Sequence, residues 1–254
     1  MGGADRSERR RKQEAAQARL KAAGITPKRS GPSGNTLVLG IVAVVVIAAI
    51  VVGVVITLNN RSSEAAGVAP NYPVARTGAV ITAGQAAAPV TVDIYEDYLC
   101  PYCERLETAY KDQITTALNA GQIKVNYHAI SILDRASTPA GYSTRAANAA
   151  ICAADAGIFP AYHAQLYADQ PSEGSAGFSV QELTDKGTAL GAGGGFGQCV
   201  AAQANSGLIE TATNTAAANP ALQTNGNFGT PTVAVGGRKV DVNDSNWLQK
   251  AITG

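Results

Sequence analysis

The chain has 254 residues, 46% of them hydrophobic and only 15% charged, with a formal net charge of +1. That length is enough for at least one domain with its own core. The near-neutral total hides an asymmetry, since nine Lys and Arg face only Asp5, Glu8 and Glu14 within residues 1–35.

This basic leader, read as a disordered cytoplasmic segment, precedes Thr36 to Leu58, 23 residues without charge or proline. At roughly 1.5 Å per residue such a run reaches about 35 Å as a helix, enough to cross the roughly 30 Å hydrocarbon core. A cleaved signal peptide would carry a shorter apolar stretch close to the chain start. Residues 36–58 are therefore expected to be an uncleaved transmembrane anchor, and no Cys follows them to accept a lipid. Positive flanks stay in the cytoplasm, so everything after the anchor is expected outside the cell membrane. The leader lacks the interleaved aromatics of a nucleic-acid binder. The rest of the chain keeps 11 of the 20 Lys and Arg against 16 of the 19 Asp and Glu, a net of −5, so no nucleic-acid partner is expected.

Residues 59–76 are rich in Ser, Ala, Gly and Pro, end near Pro70-Asn71-Tyr72-Pro73 and read as a linker. Ala79 to Thr82 is a short strand candidate, and Val90 to Tyr95 is a β-branched run that reads as a core strand. Between Glu104 and Asn119, Leu106, Tyr110, Ile114 and Leu118 recur at a four-residue spacing that predicts a helix, which Gly121 stops. Ile123 to Ile130 alternates apolar and polar side chains and predicts a second core strand.

From 137 to 220 the chain turns Ala-rich, and helices are predicted near 143–155, 160–168, 179–190, 196–204 and 206–218. The glycine run from Gly191 to Gly195 reads as a loop, and its spacing does not match a nucleotide-binding GxGxxG. Strand character returns at Thr232 to Val235, followed by a Gly236-Gly237 turn, Lys239 to Val242, and an amphipathic piece from Asp244 to Ile252. The expected architecture is α/β: one transmembrane helix, then a thioredoxin-like core in two parts, 77–136 and 221–254, interrupted by an all-helical insertion at 137–220.

All four cysteines, Cys100, Cys103, Cys152 and Cys199, follow the apolar run, on the side where disulfides persist. Cys100-Pro101-Tyr102-Cys103 falls between a predicted strand and a predicted helix. Unpaired N–H groups and the positive dipole end at a helix start favour an anion, here a Cys100 thiolate, and the thiolate is the nucleophile of disulfide exchange. Pro101 costs nothing in the first turn, where no N–H partner is needed. Three residues of separation bring Cys103 back beside Cys100, so Cys100 reacts with substrate and Cys103 resolves the mixed disulfide. A purely structural bridge would use the same pair. A zinc site would need further ligands, and Cys152, Cys199, His128 and His163 form no second tight cluster. No metal or cofactor is therefore expected.

Tyr95 to Cys103, with Gly229-Thr230-Pro231-Thr232 entering a late strand, resembles the DsbA-like thiol-disulfide oxidoreductases. The resemblance spans residues 76–254. It implies a cis Pro231 lying against the active pair, a Thr230 backbone that pairs with an extended substrate, and Tyr102 and Pro101 as supports of the site. It also implies exported cysteine-containing proteins as substrates and a membrane-embedded, quinone-linked redox partner. Cys152 and Cys199, 47 residues apart within the helical block, are expected to form a structural disulfide, with a second redox relay as the alternative. Disulfide formation is the expected direction. A reductase or isomerase would use the same residues, and a peptide-binding module with two structural bridges is the non-enzymatic alternative. One departure stands out. Many relatives carry a buried acid six residues before the first Cys, where this chain has Ile94. Asp93 points to the other face, Glu96 and Asp97 are expected in an exposed loop, and the proton acceptor for Cys103 is left open.

Overall fold

The computed structural model describes residues Val68 to Gly254. The leader, the 36–58 anchor and the first part of the linker lie outside the described residues. Among those described, no helix is long and apolar enough to cross a membrane.

Six strands form one sheet: β1 (Val74–Thr77), β2 (Val80–Ala83), β3 (Val90–Glu96), β4 (Ile123–Ala129), β5 (Thr232–Val235) and β6 (Arg238–Lys239), in the order β1-β2-β4-β3-β5-β6. Helix α1 (Pro101–Asn119) crosses between β3 and β4, which pair in parallel from Val90↔Ile123 to Glu96↔Ala129. Every other pairing is antiparallel. This is the mixed α/β arrangement of a thioredoxin-like core. A strand that returns by a helix to a parallel neighbour forces the β3–α1 junction to one end of the sheet, and ligands bind at such carboxyl ends of strands.

Alternation explains β3. Val92, Ile94 and Glu96 point into the core while Thr91, Asp93 and Tyr95 face the other side. On α1 the core face is Cys103, Leu106, Tyr110, Ile114 and Leu118, one side of a 3.6-residue period. Between β4 and β5 lies the helical insertion: α2 (Tyr142–Asp155), α3 (Phe159–Ala168), α4 (Val180–Ala189), α5 (Gly195–Ala202) and α6 (Ser206–Ala218). Ser179 caps α4 with a reciprocal Glu182 contact. Gly187 is required where α4 meets α5, because a Cβ there would lie 2.1 Å from the buried Phe196 ring. The final helix is α7 (Trp247–Thr253), whose Trp247 packs edge-on against Tyr110 of α1.

Three expectations change. Val74 to Arg76 belong to β1 rather than to the linker, because they pair with Ile81 to Ala83. The second arm of the late hairpin is only Arg238–Lys239, the chain leaving the ladder before Asp241. Glu96 and Asp97 are not in an exposed loop: Glu96 ends β3 at 4% exposure and Asp97 is fully buried.

Candidate active site

Cys100 is the N-cap of α1, its backbone extended at φ −78° and ψ 117°, with Pro101 in the first turn. The chain reaches it through a tight turn in which the Cys100 N–H donates to the Asp97 carbonyl at 2.9 Å. Cys103 sits one turn on, its N–H donating to the Cys100 carbonyl at 3.0 Å, so the two thiols share the end of the helix. Both are free thiols and both are buried. Gln170, just beyond α3, donates at 3.1 Å to the carbonyls of Tyr98 and Cys100 and so fixes the loop from the side of the insertion.

From the far end of the chain, Thr230-Pro231 closes over the pair. The peptide bond is cis, and Cys100 Sγ lies 3.2 Å from the Thr230 carbonyl oxygen. The Thr230 hydroxyl is buried without a partner in the dithiol state, free to donate to the sulfur once it ionises. Tyr102 is 64% exposed beside this junction and carries the Arg105 guanidinium over its ring at 4.1 Å.

The two thiols are electrostatically unequal. Cys100 is depressed to about 6, chiefly because the Cys103 thiol donates to its sulfur; burial opposes this, and Thr230 and the N–H groups of Cys103 and Tyr102 reinforce it. Cys103 is pushed well above the ordinary thiol range, first by burial and then by the neighbouring Cys100, with only the Asp97 N–H pulling the other way. At neutral pH the pair is one thiolate and one thiol, with the thiolate on the cysteine that faces Thr230.

Beneath the pair lie acids that sequence reasoning misplaced. The Asp97 carboxylate accepts from the Leu99 N–H at 2.9 Å, the Leu133 N–H at 2.9 Å and the Ser143 hydroxyl at 2.6 Å. Burial nonetheless raises it to about 7 against those three donors. Glu96 Oε1 is 2.8 Å from His163 Nε2, and Glu107 Oε1 is 3.6 Å from His163 Nδ1. The imidazole is ringed by Tyr98, Tyr127, Phe159 and Tyr167. Burial alone would lower His163, but the two carboxylates outweigh it and raise it to about 10, so it is an imidazolium at neutral pH. His163 is thus an interior ion-pair residue. Its signal was present in part: alternation along β3 places Glu96 inward, and the α1 period puts Glu107 four residues after Cys103 on the core face.

Cys152 of α2 and Cys199 of α5 are bonded, with Cα atoms 5.9 Å apart. Among the described residues no group of three or more His, Cys, Asp or Glu is arranged to hold a metal ion.

A parallel strand–helix–strand core, a helical insertion after β4 and a CPYC helix start facing a cis proline define a thioredoxin-fold protein of the DsbA type. The Thioredoxin family model matches residues 76–253, and the chain belongs to that family. Among solved structures it is similar to MdbA, a thiol-disulfide oxidoreductase from Corynebacterium matruchotii, at a TM-score of 0.61 and 23% identity over 74% of this chain and 94% of that one. It is also similar to the disulfide bond oxidoreductase DsbG from Mycobacterium tuberculosis, at 0.55 and 30% over 66% and 80%. The match to DsbA from the same organism has a TM-score of 0.52 and 28% identity over 66% and 92%. These matches support a protein disulfide oxidoreductase. A curated relative, the serine/threonine-protein kinase PknE of Mycobacterium tuberculosis, is 32% identical over 176 residues, 66% of this chain and 31% of the kinase. The chain thus spans about a third of the length of the curated relatives it matches.

Proposed function

We propose that this chain is an extracytoplasmic thiol-disulfide oxidoreductase that forms disulfides in exported, cysteine-containing proteins. The observation that carries this reading is the unequal placement of the two thiols: Cys100 is the N-cap of α1, with its Sγ 3.2 Å from the Thr230 carbonyl oxygen, while Cys103 is buried one turn on. Stabilising a thiolate stabilises the reduced protein, and a couple whose reduced form is stabilised is an oxidant.

The exchange balances as follows. A substrate thiolate attacks Cys100 Sγ of the Cys100–Cys103 disulfide; that bond breaks, a substrate–Cys100 bond forms, and Cys103 leaves and takes up a proton. Its high affinity for the proton slows its return as a nucleophile, the step by which it would release the substrate unreacted. A second substrate thiolate then attacks the substrate sulfur of the mixed disulfide and expels Cys100 as a thiolate, the better leaving group of the two. The substrate gains a disulfide and the protein holds two electrons as a dithiol. A membrane-embedded redox partner takes them and restores the bond. No cofactor is needed on this chain, because both redox atoms are its own sulfurs.

The location rests on the nine positive charges before the apolar run and is supported by the Cys152–Cys199 bond, of a kind that persists in oxidising compartments. Cys103→Ala tests the chemistry. Offered disulfide-containing exported proteins, its Cys100 thiolate should break the substrate bond, release one substrate sulfur as a thiolate and stay joined to the other for want of Cys103, visible as reductant-sensitive adducts on gels. If no adduct forms, the pair is structural and the peptide-binding alternative is favoured.

A further inference from the structure

Two depressions meet at Pro231. One, about 520 Å³, is lined by Tyr102, Arg105, Leu106, Ala109, Tyr110 and Val242. The other, about 540 Å³, runs along the β5–β6 hairpin past Val233, Lys239, Val240 and Asp241, and the two share Pro231, Val242 and Asn243. An extended segment that reached Cys100 past Pro231 would cross this footprint, whose walls expose polar and apolar surface in similar measure.

Its charges are not equivalent. Lys239 is engaged with the Thr224 hydroxyl at 2.6 Å. Asp241 accepts from the Asn243 backbone and side chain at 3.0 and 2.9 Å. Arg105 and Lys239 both lack a carboxylate partner among the described residues, but only Arg105 lies beside the Cys100 turn, where its Nε reaches the Pro101 carbonyl at 3.4 Å. Stacking on Tyr102 holds the planar group in place, which lowers the ordering cost of binding and leaves its outer N–H groups for a planar acceptor. A carboxylate is the matching group, since it accepts two parallel N–H donors from one guanidinium.

On the reading of the dithiol as a disulfide-exchange site, we propose that Arg105 is a specificity-determining residue: the groove selects substrate segments that carry Asp or Glu close to the reacting cysteine. Arg105 lies five residues along α1 from Cys100, about 7.5 Å of helix. At about 3.3 Å per residue of extended chain, this spans two to three substrate positions.

The experiment uses the full-length chain oxidised at Cys100–Cys103 and three dithiol peptides differing only in a Glu, Gln or Lys two residues from one cysteine. The rate at which each reduces the protein is followed at low salt. The Glu peptide should react about fivefold faster than the Lys peptide, the difference should shrink as ionic strength rises to about 0.5 M, and Arg105→Glu should reverse the order. Equal rates for the three peptides in both proteins overturn the Arg105 assignment and leave the exchange chemistry standing. If none of the peptides reduces the wild-type pair, the exchange reading falls and the assignment with it.

Discussion

Cys100 and Cys103 are the same residue type three positions apart, and the fold makes them different acids. Cys100 is the cap of a helix and sits at the positive end of its dipole, while Cys103 is 2% exposed one turn on. Because Cys100 is depressed to about 6 from an ordinary 9.0, its thiolate fraction rises as pH passes through 6 and is nearly complete above pH 7. Alkylation of the reduced protein by iodoacetamide should follow that curve, modifying Cys100 and sparing Cys103. A midpoint near pH 8.5 to 9 would mean that the helix start exerts no such effect. The CPYC motif was legible because its chemistry is local: four letters at a strand–helix boundary determine where the thiolate sits. Asp97 was not, because the groups that bury and bind its carboxylate, Leu133 and Ser143, come from 36 and 46 residues further along the chain.

Elements rather than single residues explain the Glu96–His163–Glu107 cluster, which joins β3, α3 and α1 around one imidazolium. His163 is raised from 6.5 to about 10. A group raised on folding stabilises fully below its unfolded value and loses that contribution as pH climbs through the folded one. His163→Gln should therefore cost about 3–5 kcal/mol near pH 6.5, where it strands two buried carboxylates, and the gap to wild type should close toward pH 10. Denaturant unfolding across that range measures it, and a pH-independent gap would assign His163 a packing role. No pattern in the sequence links His163 to a strand residue 67 positions earlier; only the packing of α3 on the sheet does. The helical insertion, by contrast, was legible as an Ala-rich block without strand character, and its helix bounds followed Gly, Pro and Asn. Its α2 and α5 are tied by Cys152–Cys199 across 47 residues. Replacing both cysteines by Ala should lower stability by about 3–4 kcal/mol in the chain-entropy picture, read as a lower denaturant midpoint. The Cys100–Cys103 reactivity should persist, since Cys152 and Cys199 are bonded to each other and the other two thiols are free; its loss would point to the second redox relay.

For the whole molecule, the arrangement follows from topology. Because β3 and β4 are parallel, a helix must connect them, and that helix begins where β3 ends. The antiparallel β5 then brings Thr230-Pro231 to the same edge, since Thr232 pairs with Tyr95. A motif near residue 100 and a dipeptide near residue 230 thus become one site, and a helical insertion between them supplies Gln170 and the floor beneath. This long-range closure was visible in the sequence only through the family resemblance. The orientation of the site outside a membrane is proposed from charge, hydropathy and the Cys152–Cys199 bond.

The central claim is that the pair oxidises its substrates, and its reduction potential tests this most directly. Equilibrating the Cys100–Cys103 couple against glutathione should place it well above the roughly −270 mV of thioredoxin, toward the about −120 mV of a strongly oxidising couple. A value at or below that of thioredoxin would contradict the account and make the protein a reductase on the same scaffold.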